Sequence, residues 1–393
     1  MHFSKMGGKS VLLVWVALSA LGGCTKNASD SASQSAATAG DDVIKVGEVG
    51  SMTGAEATFG ISTHQGIELA FKQINAGGGI KGKKLTITSL DDQGKPDEAA
   101  TAVTKLITQN KVSAILGEVA SSRSMAMAPI AQSYGIPMVT PSSTNPKVTE
   151  LGDHIFRVCF IDPFQGTVMA KFAYENLKAK KVAVLRDVKN DYSVGLANFF
   201  TETFKKLGGD VVIDQSYSAG DMDFKAQLTA IRAKSPDAVM VPGYYTDVGL
   251  IARQARELGI KAPLLGGDGW DSPKLKEIGG DAVNGSYFSN HYSQEDKSPR
   301  VQDFITEYKK AYGVVPDGLA AMGYDAAKVL ADAMNRAKSL EPADVTAALA
   351  ITKDYPGVTG TITIDAKRNA VKPAVVLKVQ DGVFKYQTTI NPT

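Results

Sequence analysis

Residues 114–146, AILGEVASSRSMAMAPIAQSYGIPMVTPSSTNP, decide how the chain is read. The apolar run 114–116 ends in Gly117 and leads into a small polar cluster, Ala120-Ser121-Ser122. The spacing then predicts a helix over about 124–134 and a second apolar run over 136–140. That run ends in Pro141-Ser142-Ser143-Thr144, so both clusters close successive strands. In parallel α/β sheets, ligands bind at the carboxyl ends of the strands. Hydroxyls at such turns, with the free N–H groups and positive dipole end of the next helix, suit a carboxylate. The competing reading is that both clusters merely cap helices.

Outward from this stretch the same alternation continues. Before it, 43–49 (VIKVGEV) reads as a buried strand, 62–75 as a helix, 85–90 as a strand and 96–109 as a helix opened by Pro96. Gly77–Gly82 matches G-x-G-x-x-G literally, but it follows a helix and precedes a strand, the reverse of a dinucleotide site. It reads as a helix stop and a turn. After it, strand 154–159 and the Ile161-Asp162-Pro163 break mark a crossing point, and alternation restarts with strands at 181–185, 210–214, 238–241 and 263–265. A further strand at 285–289 marks a second crossing before the helices 299–311, 319–337 and 342–350. Two closing strands, 360–364 and 374–379, and a hairpin at Asp381-Gly382 end the pattern. Two such runs predict an α/β fold with two doubly wound parallel sheets.

The chain has 393 residues, 44% hydrophobic and 21% charged, enough for two cores. Lys and Arg number 43 against 41 Asp and Glu, and Lys5 and Lys9 lie in an N-terminal leader, leaving the remainder balanced at 41 against 41. A balanced chain without a basic run gives no support to nucleic-acid binding. Residues 1–23 have the form of a targeting segment: Lys5 and Lys9, an apolar stretch over 11–20 too short to span a bilayer, then Leu21-Gly22-Gly23-Cys24. That ending resembles the bacterial lipobox, which implies that Cys24 becomes the lipidated N-terminus and anchors the protein to a membrane by its acyl chains. Cys159 would then be the one remaining thiol, without an intrachain partner. Residues 24–42 are small and polar and read as a flexible tether.

Read together, residues 45–54 (KVGEVGSMTG), 74–85 (INAGGGIKGKKL), Asp91-Asp92, 135–144 (GIPMVTPSST) and 243–267 are similar to the branched-chain amino acid binding proteins of bacterial ABC transporters. The likeness runs from Asp42 to the C-terminus. It implies a type I periplasmic binding protein: two lobes, joined by three crossovers, that close on a ligand. The lobes would be residues 43–162 with 290–372, and 163–289 with 373–393. The resemblance implies that Ser121 and Thr144 hold the ligand's α-carboxylate and that the Ser142 carbonyl accepts from its α-ammonium. Asp268 would pair that ammonium, with Tyr192, Tyr244 and Phe59 as aromatic walls. Trp270 is counted with them, either lining the pocket or bracing the hinge. A zwitterion leaves water cheaply only when both ends are hydrogen-bonded, which such a set achieves.

Some relatives carry a disulfide where Gly94 and Ala120 stand here, a Tyr at Phe59, and a Glu at Asp268, so side-chain selectivity is open among leucine, isoleucine and valine. The expected function is capture of a branched-chain or other aliphatic amino acid outside the cytoplasm by a monomer that delivers it to a permease. The family alternatives are amide, urea or aromatic-acid receptors and a sensory role. No cofactor or metal is expected. An enzyme is not expected either: neither G-x-S-x-G nor H-E-x-x-H occurs, and beyond the leader the histidines are His64, His154 and His291. Asp268 between glycines could also be a plain turn former, and Asp91-Asp92 read as loop stabilisers.

Overall fold

The computed structural model describes residues 43–392; the leader, Cys24 and the tether lie outside the described residues. Strand β1 (Val43–Gly50) is flanked by β2 (Lys84–Asp91) and β3 (Ala114–Leu116), and β4 (Met138–Thr140) and β5 (Ile155–Arg157) follow. Together they form a five-stranded parallel sheet of order β2-β1-β3-β4-β5. Next come β6 (Lys181–Asp187), β7 (Asp210–Tyr217), β8 (Ala238–Met240), β9 (Leu264–Gly266) and β10 (Tyr287–Asn290). They repeat that order as β7-β6-β8-β9-β10, again parallel. In each sheet the order reverses beside the first strand, which opens a crevice at the carboxyl ends.

Both sheets are covered on both faces, which is why their strands are apolar runs rather than alternating ones. Neighbouring residues of β3 still part by the two-residue period. Leu116 joins Ile67, Phe71, Met322 and Leu330 on one face, while Ile115 joins Val103, Leu106 and Met127 on the other. In the second sheet Ala183 and Leu185 face Ile251 and Val248, and Val182 and Val184 face Leu196 and Phe200.

The closing strands depart from the all-parallel expectation. β11 (Tyr355–Gly357), β12 (Gly360–Ile364) and β13 (Ala370–Val371) make a small antiparallel sheet of their own. Then β14 (Ala374–Gln380) pairs antiparallel with β10, and the Asp381-Gly382 turn returns β15 (Val383–Ile390) as a hairpin. The reason is connectivity: β14 enters after the chain has left the second sheet for the helices 299–350, with no crossover helix to turn it parallel.

Helix Ala57–Ala76 starts five residues before the predicted 62, because Gly60 acts as a contact rather than a breaker. A Cβ there would lie 2.3 Å from the Ser51 carbonyl oxygen. Further along, a Cβ on Gly66 would meet the Ala320 carbonyl at 2.0 Å, and one on Gly323 the Thr63 carbonyl at 2.4 Å. Two glycines therefore let this helix and Gly318–Arg336 touch backbone to backbone. Their N-terminal ends then bring Phe59 and Leu319 to the same place. Among the described residues no helix is long and apolar enough to cross a membrane.

Because the contact is backbone against backbone, no side chain can move aside. Gly66→Ala is expected to destabilise by about 1–3 kcal/mol, the range for overpacking, read as a lower urea midpoint with unchanged slope.

Candidate functional site

The two polar clusters are not helix caps. Helix Ser121–Ser133 takes extended Ala120 as its N-cap, with no side-chain bond, so Ser121 lies inside the first turn. After β4 the short helix Lys147–Glu150 is served by Asn145, whose Oδ1 accepts from the Lys147 N–H at 3.0 Å. The serines do other things. Ser121 Oγ accepts from the Asn145 N–H at 3.1 Å, which joins the two turns and leaves its own proton to donate elsewhere. Ser143 turns inward, its Oγ 2.9 Å from the Glu118 and Val119 carbonyls and 2.7 Å from Ser124 Oγ. Arg157, fully buried on β5, donates to the carbonyls of Ser143 and Asn145 and to Asn369 Oδ1. With the turn held this way, the buried hydroxyls of Ser142 and Thr144 have no hydrogen-bond partner.

The second sheet supplies the facing wall from equivalent positions. Tyr192 follows β6, Tyr244 follows β8 and Asp268 follows β9, as Phe59 follows β1, Ser121 follows β3 and Ser142 follows β4. The Tyr192 and Tyr244 rings stack at 5.4 Å, and Phe59 meets Tyr244 edge-on at 5.2 Å. Tyr192 Oη accepts from the Gly269 N–H at 3.2 Å. Burial raises the pKa of both phenols above the usual tyrosine range, so they stay neutral. Asp268 is not acting as a turn former: its Oδ2 lies 2.9 Å from His291 Nε2, and its Oδ1 is buried without a partner. Its backbone N–H donates to Gln165 Oε1 at 2.9 Å. Asp162, close to Thr144 and Asp268, is pushed up to about 7 by burial.

The glycines around Asp268 have separate steric causes. A Cβ on Gly267 would lie 2.4 Å from Tyr192 Oη, and one on Gly269 2.8 Å from Tyr244 Cδ1. One on Gly266 would strike the Trp270 ring at 2.0 Å. Trp270 departs from the expectation that it lines the pocket: it folds back over Gly266, donates its indole N–H to the Val241 carbonyl at 3.0 Å and packs in the core with Phe288. A ring that size fits against β9 only because Gly266 leaves room. It does not line the cavity.

Phe59, Ser121, Ser142, Tyr192, Tyr244 and Asp268 converge on one buried cavity, and Thr144 lies just behind its wall. In this conformation the cavity measures about 10 Å³, room for about one water, so a larger molecule enters only if the lobes part. Larger clefts, among them ones of about 530 and 360 Å³, lie elsewhere. Size does not identify the site here; the orphaned donors and acceptor converge on the small cavity. Sequence reasoning missed Val119, Leu319 and Gly269 in its wall, and Gln165, Arg157 and His291 behind it. Val119 was within reach, as the apolar neighbour of the first cluster; Leu319 arrives on a helix 200 residues from that cluster and leaves no local signal.

One cluster elsewhere has the residue types of a hydrolase. His64 Nδ1 lies 2.6 Å from Glu48 Oε2 and 3.2 Å from Ser89 Oγ. Both contacts use the same ring nitrogen, and Ser89 also bonds Glu48 directly, so the ring cannot relay a proton between the two. Asp91 and Asp92 hold loops: Asp91 accepts from the Met52 and Thr53 N–H groups, and Asp92 from Ser51 Oγ and the Gly94 N–H. The Cys159 thiol, buried and pushed up to about 12, is inert.

Two doubly wound lobes whose switch points face each other across one cavity define the type I periplasmic binding protein fold. The chain belongs to the periplasmic binding protein family, whose model matches residues 43–383. It is 32% identical over 342 residues to a Leu/Ile/Val-binding protein homolog of Brucella melitensis, covering 86% of this chain and 92% of that protein. Among solved structures, a leucine binding protein from Thermotoga maritima superposes with a TM-score of 0.86 at 44% identity, covering 89% of this chain and 99% of that one. The branched-chain amino acid transporter substrate binding protein of Streptococcus pneumoniae, in complex with isoleucine, gives 0.85 at 35% identity, covering 89% and 100%. The resemblance read from the sequence holds, and the chain is an extracytoplasmic binding protein rather than an enzyme.

The Glu48 hydrogen bond keeps His64 above its ordinary pKa. A folded-state value above the unfolded one adds stability that is complete below the unfolded pKa, about 6.5, and is lost as pH rises through the folded value. The destabilisation caused by His64→Leu is therefore expected to be larger at about pH 5.5 than at about pH 8.5, read from urea unfolding at each.

Proposed function

We propose that the protein captures a branched-chain aliphatic amino acid, leucine, isoleucine or valine, between its lobes and hands it to an ABC permease. The observation that carries this reading is the set of unmet hydrogen bonds at one cavity. The Ser142 hydroxyl lacks a partner on one side, with the Thr144 hydroxyl just behind it beside Asp162, and Asp268 Oδ1 lacks one on the other. An unpaired buried polar atom costs about 1–3 kcal/mol, so a ligand that meets all of them gains that energy back. The α-carboxylate takes the Ser121 and Thr144 hydroxyls, with Ser142 Oγ close by, and the free N–H groups of helix Ser121–Ser133; the α-ammonium takes Asp268 Oδ1 and the Ser142 carbonyl. Phe59, Tyr192, Tyr244, Val119 and Leu319 remain for an apolar side chain, gaining roughly 25 cal/mol per Å² buried. The relatives named for leucine, isoleucine and valine support the same ligand class.

The lobes in this reading are 43–162 with 290–372 and 163–289 with 373–393. Direct hydrogen bonds hold them shut: Ser122 Oγ to Asp191 Oδ2 at 2.9 Å, Asn145 Nδ2 to the Asp191 carbonyl at 2.9 Å, and Thr246 Oγ1 to the Ala55 carbonyl at 2.6 Å. Cys24 would anchor the protein by lipid, with residues 25–42 as tether to a membrane-bound permease.

The test is calorimetric titration of the refolded domain with the twenty amino acids. Leucine, isoleucine or valine should bind, and Asp268→Asn and Thr144→Val should each weaken that binding about tenfold or more. Binding of a neutral amide, indifferent to Asp268→Asn, would replace this reading with the amide-receptor one.

A further inference from the structure

We propose that His291 is a positioning residue for ligand capture: its Nε2–H holds Asp268 Oδ2, so that Oδ1 alone is presented to the ligand's ammonium. The inference rests on the reading of Asp268 as the ammonium partner.

The geometry leaves the ring little freedom. His291 sits directly after β10, where the chain leaves the second sheet, and its side chain is fully buried. The ring stacks on Phe160 at 3.8 Å and 25°, which sets its plane. Nε2 lies 2.9 Å from Asp268 Oδ2. From the other side Gln165 Oε1 accepts from the Asp268 N–H at 2.9 Å and from Ser289 Oγ at 2.8 Å, so the backbone beneath the carboxylate is held too. Nδ1 has no partner. A hydrogen there would be a buried donor without an acceptor, so the neutral tautomer with its proton on Nε2 fits this environment.

Neutrality is the useful property. A lysine or arginine at this point would cancel the Asp268 charge and remove its attraction for a second cation. A neutral imidazole meets one carboxylate oxygen, fixes the rotamer and leaves the full negative charge for the ammonium. The titratable and charged groups around the ring are Asp268 in front and Lys372 behind; Asp162 and Tyr192 act on it through Asp268. Burial, with Lys372, holds the imidazole below its ordinary pKa, so the ring is neutral at neutral pH. His291 also borders a cleft of about 360 Å³ shared with Tyr292, Ser293, Thr359 and Pro373. Acidification that charges the ring places a cation against Asp268, in competition with the ligand, so affinity falls toward acid pH.

The experiment titrates leucine, isoleucine and valine into the wild type, His291→Leu, His291→Gln, Asp268→Asn and the His291→Leu/Asp268→Asn double variant. His291→Leu is expected to lose about tenfold in affinity, and to lose almost nothing further when Asp268 is already Asn. His291→Gln keeps a donor that does not titrate. It should restore neutral-pH affinity and flatten the weakening that the wild type shows as pH falls below about 6.5, the ordinary imidazole value. Equal loss from His291→Leu in both Asp268 backgrounds would make the ring a packing element only and overturn the proposal. If His291→Leu does not fold, the pH comparison decides alone, and parallel profiles for wild type and His291→Gln overturn the proposal. A wild type that binds none of the three amino acids overturns the proposed function, and this inference with it.

Discussion

A buried polar atom without a partner is among the more expensive things a protein can keep, and this one keeps several around a single small cavity. Ser142 Oγ and Asp268 Oδ1 are orphaned there, while the side chains that brace the first lobe's two turns are satisfied. Ser143, Ser124, Thr140 and Arg157 meet one another and the backbone of both turns. The contrast is what makes a site. Rigid, fully bonded support holds a few unmet groups in place, and those groups await a molecule of complementary charge.

That arrangement depends on two sheets having the same strand order. Each leaves a crevice at its reversal, and the positions after the first, third and fourth strands of each face across one gap. The first lobe contributes a phenyl ring and two serines at these positions and the second contributes an acid and two phenols, so the polarity of the cleft runs from one lobe to the other. Helices Ala57–Ala76 and Gly318–Arg336 complete the wall, because Gly66 and Gly323 let them touch at backbone distance. Leu319 and Phe59 then line the same cavity. Packing far from the cavity thus sets its apolar lining.

Several residues chosen for binding chemistry turn out to be shaped by sterics as well. The Gly266-Gly267-Asp268-Gly269-Trp270 run looks like a turn with an acid in it. Each glycine instead answers a particular crowding atom, in Trp270, Tyr192 or Tyr244. The Trp270 position shows the limit of spacing arguments. It stands two residues from Asp268, yet the tight turn sends its ring back over Gly266 and into the core.

The alternation of apolar runs and helical stretches was enough to establish two doubly wound sheets, because parallel strands buried on both faces read as continuous apolar runs wherever they occur. The same reading placed Ser121 and Ser142 at strand ends, since turn chemistry is local, and the family resemblance added Asp268. Local patterns do not carry distance between remote segments. Only the folded chain brought Leu319 beside Phe59, seated Arg157 under the second polar turn, turned β14 antiparallel and put His291 behind Asp268. These are contacts between elements tens to hundreds of residues apart, decided by packing and by the need to satisfy buried groups. Neither leaves a period in the sequence.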